Sequence, residues 1–529
     1  MQKKDFLVIT ALFLVGFTLR LLLAARLPFM GDECGTMINI CYPFSYILTH
    51  FHCWLTMNWY IALIKLIAQV FGEGFIAVRL LSVLTGAGSV VLTGLVARRL
   101  FSGKAWIIAA ALTAFNPYLV SFGAIARVYS LYVFISLVIF LLFLRWRETP
   151  SHSNCIGLSL ACFALIMFNL NGVFIILWLL IVIAVEVLQR RLNRAHPDVH
   201  QFGVKRLIIP GLLCAFVAGL FYAQLIGEIR RYSSEWVVAE ITSITYLPNA
   251  ASLYFTTQTC TWFLGIFMLF GSYRLFRSDR FICAVLILWL LVPIVAAALL
   301  GYSFNFWDFA RFFIFIVPII FILSAYGITA IAKFFIHKYQ NVIILGSGLL
   351  FCVMWLPEIN NQLLNGEKIP FHKAYNFTAT QMRTHDKIVC LDPFSRLHLA
   401  PYRYCNERIK IEKAIATREI FLQSSVPDLL QDTERGHRFL IGTGKYIPHF
   451  GTETKSFGDI RVCILPPEPW ANRYERLLNG YKNSERLMQT DPNPPETDFF
   501  AIYSSLTDLA KLRGDREGEQ YYKSFLSGG

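Results

Sequence analysis

The sequence predicts an all-α polytopic membrane protein with a small α/β soluble domain at its carboxyl end. Of the 529 residues, 56% are hydrophobic and only 16% are charged, whereas soluble domains carry about 25% charged residues. Apolar segments recur from residue 6 to residue 357, and many approach the roughly 20 residues that cross a bilayer as a helix. Beyond residue 357 the chain becomes polar and is long enough for a core of its own.

The apolar segments predict about eleven spanning helices. Segment 54–71 is short and contains Lys65, and a lysine at the bilayer centre costs about 2.5–3.5 kcal/mol on insertion scales. Between the external loop after the first helix and the internal basic tract at 98–104 only one crossing is possible, so we interpret this segment as a juxtamembrane or partly inserted helix. The segments, in order, are 6–25, 54–71, 79–98, 105–121, 127–144, 156–168, 172–188, 207–227, 258–273, 281–300, 312–332 and 341–357.

The net charge of +14 comes largely from short basic tracts between apolar segments. Such tracts are typical of cytoplasmic loops, and their position argues against a nucleic-acid partner. Lys3 and Lys4 place the amino end inside, so the loop after the first helix lies outside. The hairpin 156–188 has basic tracts on both flanks, which puts its turn "NLNG" at 169–172 outside as well. The alternation of the later spans brings the chain outside after 357. The tracts lie at 98–104, 145–147, 189–194, 273–280 and 333–338.

Two domains follow from this change in character. Residues 1–357 form the transmembrane domain, and residues 358–529 form an extracytoplasmic α/β domain. Within the latter, "KIVCLD" at 387–392 and "RFLIGTG" at 438–444 are short apolar runs that end in turn residues, which is typical of strands. A helix is expected around 414–431.

Several polar residues fall at the external face of this topology. Each has an ordinary explanation: loop carboxylates and histidines are usually solvated, and an interfacial arginine often reaches toward lipid head groups. Their coincidence at one face is what favours a functional site. The candidates are Asp32 and Glu33 after the first helix, His52, Arg127 and Tyr129 in "ARVYSLY", and Asp308 and Arg311 before a late helix.

These residue types suit group transfer from a lipid-linked phosphate. A carboxylate can act as general base on an acceptor hydroxyl or amine. An arginine can hold a phosphate through a fork of hydrogen bonds and stabilise it as a leaving group. The sequence has neither a P-loop nor a dinucleotide-binding fingerprint, so a nucleotide substrate is not indicated. The cysteines show no spacing typical of a zinc site.

Three stretches together resemble a known superfamily. They are "NWYIALIKLIAQVFG" at 58–72, the region 79–132 that ends in "ARVYSLY", and "ARFFIFIVPIIFILSAYGI" at 310–328. Their order and spacing resemble the GT-C superfamily of polyprenyl-phosphate-sugar glycosyltransferases, in particular the protein O-mannosyltransferase-like (family 39) branch with the lipid A aminoarabinose transferases. The resemblance covers about residues 5–335 and implies a GT-C-like fold.

The resemblance implies roles for most of the candidates. Asp32 matches the catalytic acidic residue and Glu33 its neighbour. Arg127 and Tyr129 match an element near the active site, and Arg311 matches the arginine of an "RY" element that contacts donor phosphate. Two departures stand out: Phe312 replaces the tyrosine of "RY", and "HCWLTMNWYI" at 52–61 replaces the usual "HPPLYY", which weakens any role for His52 in substrate binding.

The resemblance further implies a polyprenyl-phosphate sugar donor, a lipid, glycan or protein acceptor, and reaction at the extracytoplasmic face, in a bacterial inner membrane. It allows a divalent metal ion at the acidic loop without requiring one. Two other classes stay open: a transporter or lipid flippase, and an assembly factor without catalysis. A transporter would favour internal repeats and charges within the spans. An enzyme requires Asp32 and Arg311 to face one cavity open to the outer leaflet.

Overall fold

The structure is a computed structural model of the 529-residue chain. It describes residues 3–27, 29, 31–40, 42–50, 58–72, 74–192, 197–236, 254–299, 311–333, 337–365, 371–381, 387–390, 437–443, 454–457, 460–465, 468–489 and 496–527.

The predicted fold class is confirmed. Among the described residues, 8 helices are long and apolar enough to cross a membrane, and 4 shorter apolar helices accompany them. The chain is therefore an integral membrane protein. The chain forms two compact units. The first comprises Met1–Leu27 and Asn39–Gly366, and the second comprises Pro28–Ile38 and Glu367–Gly529.

The helices of the first unit are joined by short connections where the structure describes them. The last of them continues beyond the predicted boundary at 357. Their bounds are α1 (Lys3–Arg26), α3 (Phe44–Thr49), α4 (Asn58–Phe71), α5 (Phe75–Leu100), α6 (Ala105–Phe115), α7 (Pro117–Phe122), α8 (Tyr129–Glu148), α9 (His152–Phe168), α10 (Gly172–Leu192), α11 (Pro197–Trp236), α12 (Gln258–Ser278), α13 (Arg280–Leu299), a 3₁₀ turn (Ile314–Ile316), α14 (Val317–Ala332) and α15 (His337–Asn365).

The predicted span 105–121 is wrong as a single helix. Helix α6 ends at Phe115, and α7 begins anew at Pro117. Proline disfavours a helical conformation in the residue before it, which stops α6. Asn116 then caps α7, because its Oδ1 accepts a hydrogen bond from the backbone N–H of Leu119 at 2.9 Å. Arg127 consequently lies in the turn that precedes α8, not inside a helix that begins at 127.

Helix α4 has 14 residues, fewer than the roughly 20 that span a bilayer. Lys65 on this helix donates hydrogen bonds to the carbonyls of Ile40 and Tyr42 at 2.7 and 2.8 Å. The lysine thus has polar partners in the segment before α3. These contacts explain how an apolar segment accommodates the charge that set it apart in the sequence.

Two buried arginines satisfy carbonyl groups at the ends of helices. Arg79 donates to the carbonyls of Ala24 and Leu27 at 2.7 Å each, at the end of α1. Arg20 donates to Thr113 O at 3.1 Å and to Ala114 O at 3.4 Å, at the end of α6. The last carbonyls of a helix have no partner within it, so these arginines fix the ends of α1 and α6.

The Arg20 side chain needs a glycine in the neighbouring helix α5. A Cβ atom at position 86 would lie 2.7 Å from Arg20 Nε and 2.9 Å from Arg20 Cδ. We expect Gly86→Ala to lower the free energy of unfolding by about 1–3 kcal/mol, the usual cost of overpacking. The measurement is thermal unfolding of the detergent-purified protein.

Gly219→Ala is the matched control, because Gly219 also lies within an apolar helix but has nothing within 4 Å of an added Cβ. This variant should keep or raise the unfolding temperature, since alanine favours helix over glycine. An equal change in both variants would contradict the proposed packing of Arg20.

The second unit contains a sheet, as the sequence predicts. Strand β1 (Lys387–Cys390) lies in the predicted run 387–392, and β2 (Arg438–Thr443) lies in the predicted run 438–444. The helix expected at 414–431 lies outside the described residues. The sheet order is β1-β2-β4-β3, with β1 parallel to β2 and the other pairs antiparallel. The remaining elements are α2 (Gly31–Asn39), α16 (Phe371–Gln381), β3 (Thr454–Phe457), β4 (Ile460–Leu465), α17 (Trp470–Gln489), α18 (Glu496–Arg513) and α19 (Arg516–Ser527).

The core of this unit forms between the sheet and the helices that follow it. Leu440 and Cys463 of the sheet are buried in one cluster with Tyr474 and Leu477 of α17 and Leu506 of α18. Hydrophobic burial on one face of the sheet therefore explains why α17 and α18 pack here.

Candidate functional site

The acidic pair opens a helix instead of lying in a loop, which corrects the sequence prediction. Asp32 and Glu33 belong to the first turn of α2. The backbone N–H groups of a first helical turn have no helical partner, and the helix dipole favours negative charge there. Glu33 is fully buried. For Asp32 the structure describes the backbone alone.

A second set of candidates lies where α8 begins. Arg127 is buried, and its backbone carbonyl accepts a hydrogen bond from Ser82 Oγ at 3.1 Å. That hydroxyl is also bonded to Tyr60 OH at 3.0 Å, so α4 and α5 together fix the turn. The Arg127 guanidinium lies 5.9 Å from the ring centroid of Tyr129. The Tyr129 ring in turn packs edge-on against Phe122 at 5.0 Å.

Two further tyrosines adjoin this turn, and neither was a candidate from the sequence. Tyr118 packs 4.7 Å from Phe122 and edge-on against Tyr254 at 5.3 Å. Asn116 Nδ2 donates to the carbonyl of Tyr254 at 2.7 Å and thereby holds the segment before α12. The hydroxyl of Tyr254 is buried and has no hydrogen-bond partner among the residues that the structure describes.

Arg311 belongs to the same neighbourhood. It precedes the 3₁₀ turn Ile314–Ile316, and its guanidinium lies 5.3 Å from the ring centroid of Phe312. Tyr118 interacts electrostatically with both Tyr129 and Arg311. The start of α8 also packs against the segment after Arg311, because the ring of Tyr132 lies 5.2 Å from that of Phe315. Arg127, Tyr129, Tyr118 and Arg311 therefore belong to one neighbourhood of the first unit. We call these four residues the arginine–tyrosine cluster.

The cluster suits an anionic ligand. Tyr118 is buried, and its phenol can donate a hydrogen bond. Guanidinium and phenol donors in a water-poor environment bind phosphate oxygens more strongly than they would in bulk water.

The remaining candidates stay predictions. His52 and Asp308 lie outside the described residues. Asp32 and Glu33 belong to the second compact unit, and Arg311 belongs to the first. Among the residues that the structure describes, no group of three or more His, Cys, Asp or Glu side chains could hold a metal ion. A metal at the acidic pair therefore stays a prediction from the resemblance.

No model of a protein family matches the chain, and no curated protein matches it. Solved structures do match. ArnT from Cupriavidus metallidurans bound to undecaprenyl phosphate is 11% identical, with a TM-score of 0.57, over 88% of this chain and 98% of that one. Its apo form is also 11% identical, with a TM-score of 0.56, over 87% and 97%. The chain has the fold of ArnT.

The oligosaccharyltransferase from Archaeoglobus fulgidus, in complex with Zn and sulfate, is 12% identical with a TM-score of 0.47 over 82% of this chain and 68% of that one. The GT-C-like fold that the resemblance implied is confirmed by the similarity to ArnT. The ArnT fold extends over nearly the whole chain, well beyond the region 5–335 that carried the resemblance in sequence.

Proposed function

We propose that the protein is an integral-membrane glycosyltransferase that moves a sugar from a polyprenyl-phosphate-linked donor to a lipid, glycan or protein acceptor. The observation that carries this proposal is the arginine–tyrosine cluster, in which Arg127 lies beside the Tyr129 ring and the contact of Tyr132 with Phe315 joins the start of α8 to the segment that carries Arg311. The similarity in fold to the ArnT structure bound to undecaprenyl phosphate supports this proposal. The helices that are long and apolar enough to cross a membrane also support a donor that is itself a lipid.

In this proposal Arg311 and Arg127 bind the donor phosphate, and Tyr129 and Tyr118 donate hydrogen bonds to it. As the bond between the anomeric carbon and the phosphate oxygen breaks, the phosphate takes up the electron pair. The guanidinium groups stabilise the added charge, which is the largest electrostatic change in the reaction.

Asp32 is the proposed general base. It removes the proton from the acceptor hydroxyl or amine while the acceptor atom forms a new bond to the anomeric carbon. Attack from the side opposite the phosphate inverts the configuration at that carbon. Glu33 supports the base, and Asp308 and His52 bind substrate. The basic tracts favour an extracytoplasmic reaction in a bacterial inner membrane, where a lipid-linked donor substitutes for nucleotide sugars.

A transfer assay separates this proposal from the transporter and assembly-factor alternatives. Purified protein in liposomes receives undecaprenyl phosphate that carries a labelled sugar, together with a membrane extract as the source of acceptor. We expect labelled acceptor and undecaprenyl phosphate to appear in equal amounts. A flippase would move intact donor between leaflets without releasing undecaprenyl phosphate, and an assembly factor would do neither. Liposomes without protein are the control.

A further inference from the structure

Two buried asparagines in the turn between α9 and α10 have side-chain N–H groups without a hydrogen-bond partner among the described residues. Asn169 is 0% and Asn171 5% exposed. Asn169 Oδ1 accepts a hydrogen bond from the backbone N–H of Asn171 at 3.0 Å, which fixes the orientation of the Asn169 amide. The Nδ2 atoms of both residues are buried and have no hydrogen-bond partner among the residues that the structure describes.

Such groups need a partner. Buried side-chain nitrogen atoms in folded proteins are almost always hydrogen-bonded, and leaving one unpaired is costly, particularly at low dielectric. An ordinary surface turn would expose its amides to water, whereas this one buries both. The two amide groups thus offer up to four N–H donors to a ligand that carries oxygen acceptors.

The turn packs against both elements of the arginine–tyrosine cluster. Tyr132, one helical turn after Tyr129, donates through its hydroxyl to Asn171 O at 3.0 Å. Phe174, which follows the turn, lies 5.9 Å from the ring of Phe313, two residues after Arg311. The asparagine turn is therefore held beside the start of α8 and beside the segment that carries Arg311.

We propose that Asn169 and Asn171 donate hydrogen bonds to the hydroxyl groups of the sugar on the lipid-linked donor. This inference rests on the proposed function and adds the residues that recognise the sugar. Arginines match the charge of a phosphate, whereas neutral amides match the neutral oxygens of a sugar ring. The ring is joined directly to the phosphate, so a site for it must lie next to the phosphate site. A site that hydrogen-bonds hydroxyl groups discriminates strongly between sugars.

The test compares the affinities of two kinds of lipid for wild type and for Asn171→Leu in lipid nanodiscs. The probes are undecaprenyl phosphate alone and undecaprenyl phosphate carrying mannose, glucose, galactose or arabinose. Leucine has a similar shape but no donor, and the backbone N–H and carbonyl of residue 171 that hold the turn remain. Asn171→Ala repeats the test in case leucine does not fit. Asn154→Leu, a half-buried position near the opposite end of α9, is the control.

We expect wild type to bind at least one of the sugar lipids more tightly than undecaprenyl phosphate. Asn171→Leu should weaken the binding of that sugar lipid by about tenfold and leave the affinity for undecaprenyl phosphate unchanged. If Asn171→Leu bound both lipids equally more weakly, or bound both as tightly as wild type, the proposed contact between Asn171 and the sugar would be overturned. Wild type that prefers no sugar lipid over the bare phosphate would overturn it as well. Wild type that binds neither lipid would instead overturn the proposed function itself.

Discussion

Arg311→Ala is expected to lower the transfer rate at limiting donor by about 10²–10³-fold, the usual cost of removing one group that stabilises the departing charge. Arg311 is half-buried, and the ring of Phe312 lies beside its guanidinium. The 3₁₀ turn and the helix α14 that follow Arg311 contain no lysine or arginine that could replace it. The loss should appear both in donor affinity and in turnover, since the charge on the phosphate grows as the bond breaks.

Two further variants make this result specific. Arg311→Lys keeps the charge but loses the planar fork of donors, so it should recover only part of the activity. Arg277→Ala removes an arginine from the exposed last turn of α12 and should transfer at the wild-type rate. If Arg311→Ala had the donor affinity and turnover of wild type, the assignment of Arg311 to the phosphate site would be contradicted.

The fold was largely predictable from the sequence because bilayer thickness constrains helix length so strongly. The apolar segments and the change in composition near 357 sufficed for the membrane helices and the carboxyl-terminal sheet. The break at Asn116 was also visible in principle, since Pro117 disfavours a regular helix through that point. Apolar residues continue on both sides of the proline, and their pattern favours one uninterrupted span over 105–121.

The site was predictable only in part. Arg127, Tyr129 and Arg311 belong to short motifs that the sequence displays, and their roles at the site stay predictions. Tyr254 has no such motif, and its main contact, with Asn116, spans 138 residues of sequence. Contacts at that separation depend on helix packing that no local pattern records.

Buried polar residues were the other class that the sequence did not reveal. Arg20 lies inside the first apolar segment, and its role becomes clear only once the carbonyls at the end of α6 are seen beside it. In the same way, "NLNG" is a typical turn sequence, and turns are usually solvated. The burial of its two asparagines follows from the packing of α8 and α10, which the sequence does not specify.

Asp32→Asn is expected to have the largest effect of all, a loss of about 10²–10⁴-fold in the transfer rate, the usual contribution of a general base. Asparagine keeps the size of the side chain and still suits the start of α2, so the fold should be unaffected. It cannot accept a proton, so the acceptor hydroxyl or amine would have to attack without activation. Donor binding should remain, because the proposed phosphate ligands are on other elements.

The control has the same chemical change at a helix start that takes no part in the proposed site. Asp279 accepts a hydrogen bond from the backbone N–H of Ile282 at 3.0 Å at the start of α13 and is exposed. Asparagine caps a helix as well as aspartate does. Asp279→Asn should therefore transfer sugar at the wild-type rate.

The most direct test of the central claim is the rate of labelled-sugar transfer by purified Asp32→Asn at saturating donor, measured beside wild type and Asp279→Asn. Wild type and Asp279→Asn should transfer sugar at equal rates, and Asp32→Asn should bind undecaprenyl phosphate normally while transferring at least about 100-fold more slowly. Transfer by Asp32→Asn at the wild-type rate would contradict the assignment of Asp32 as the base.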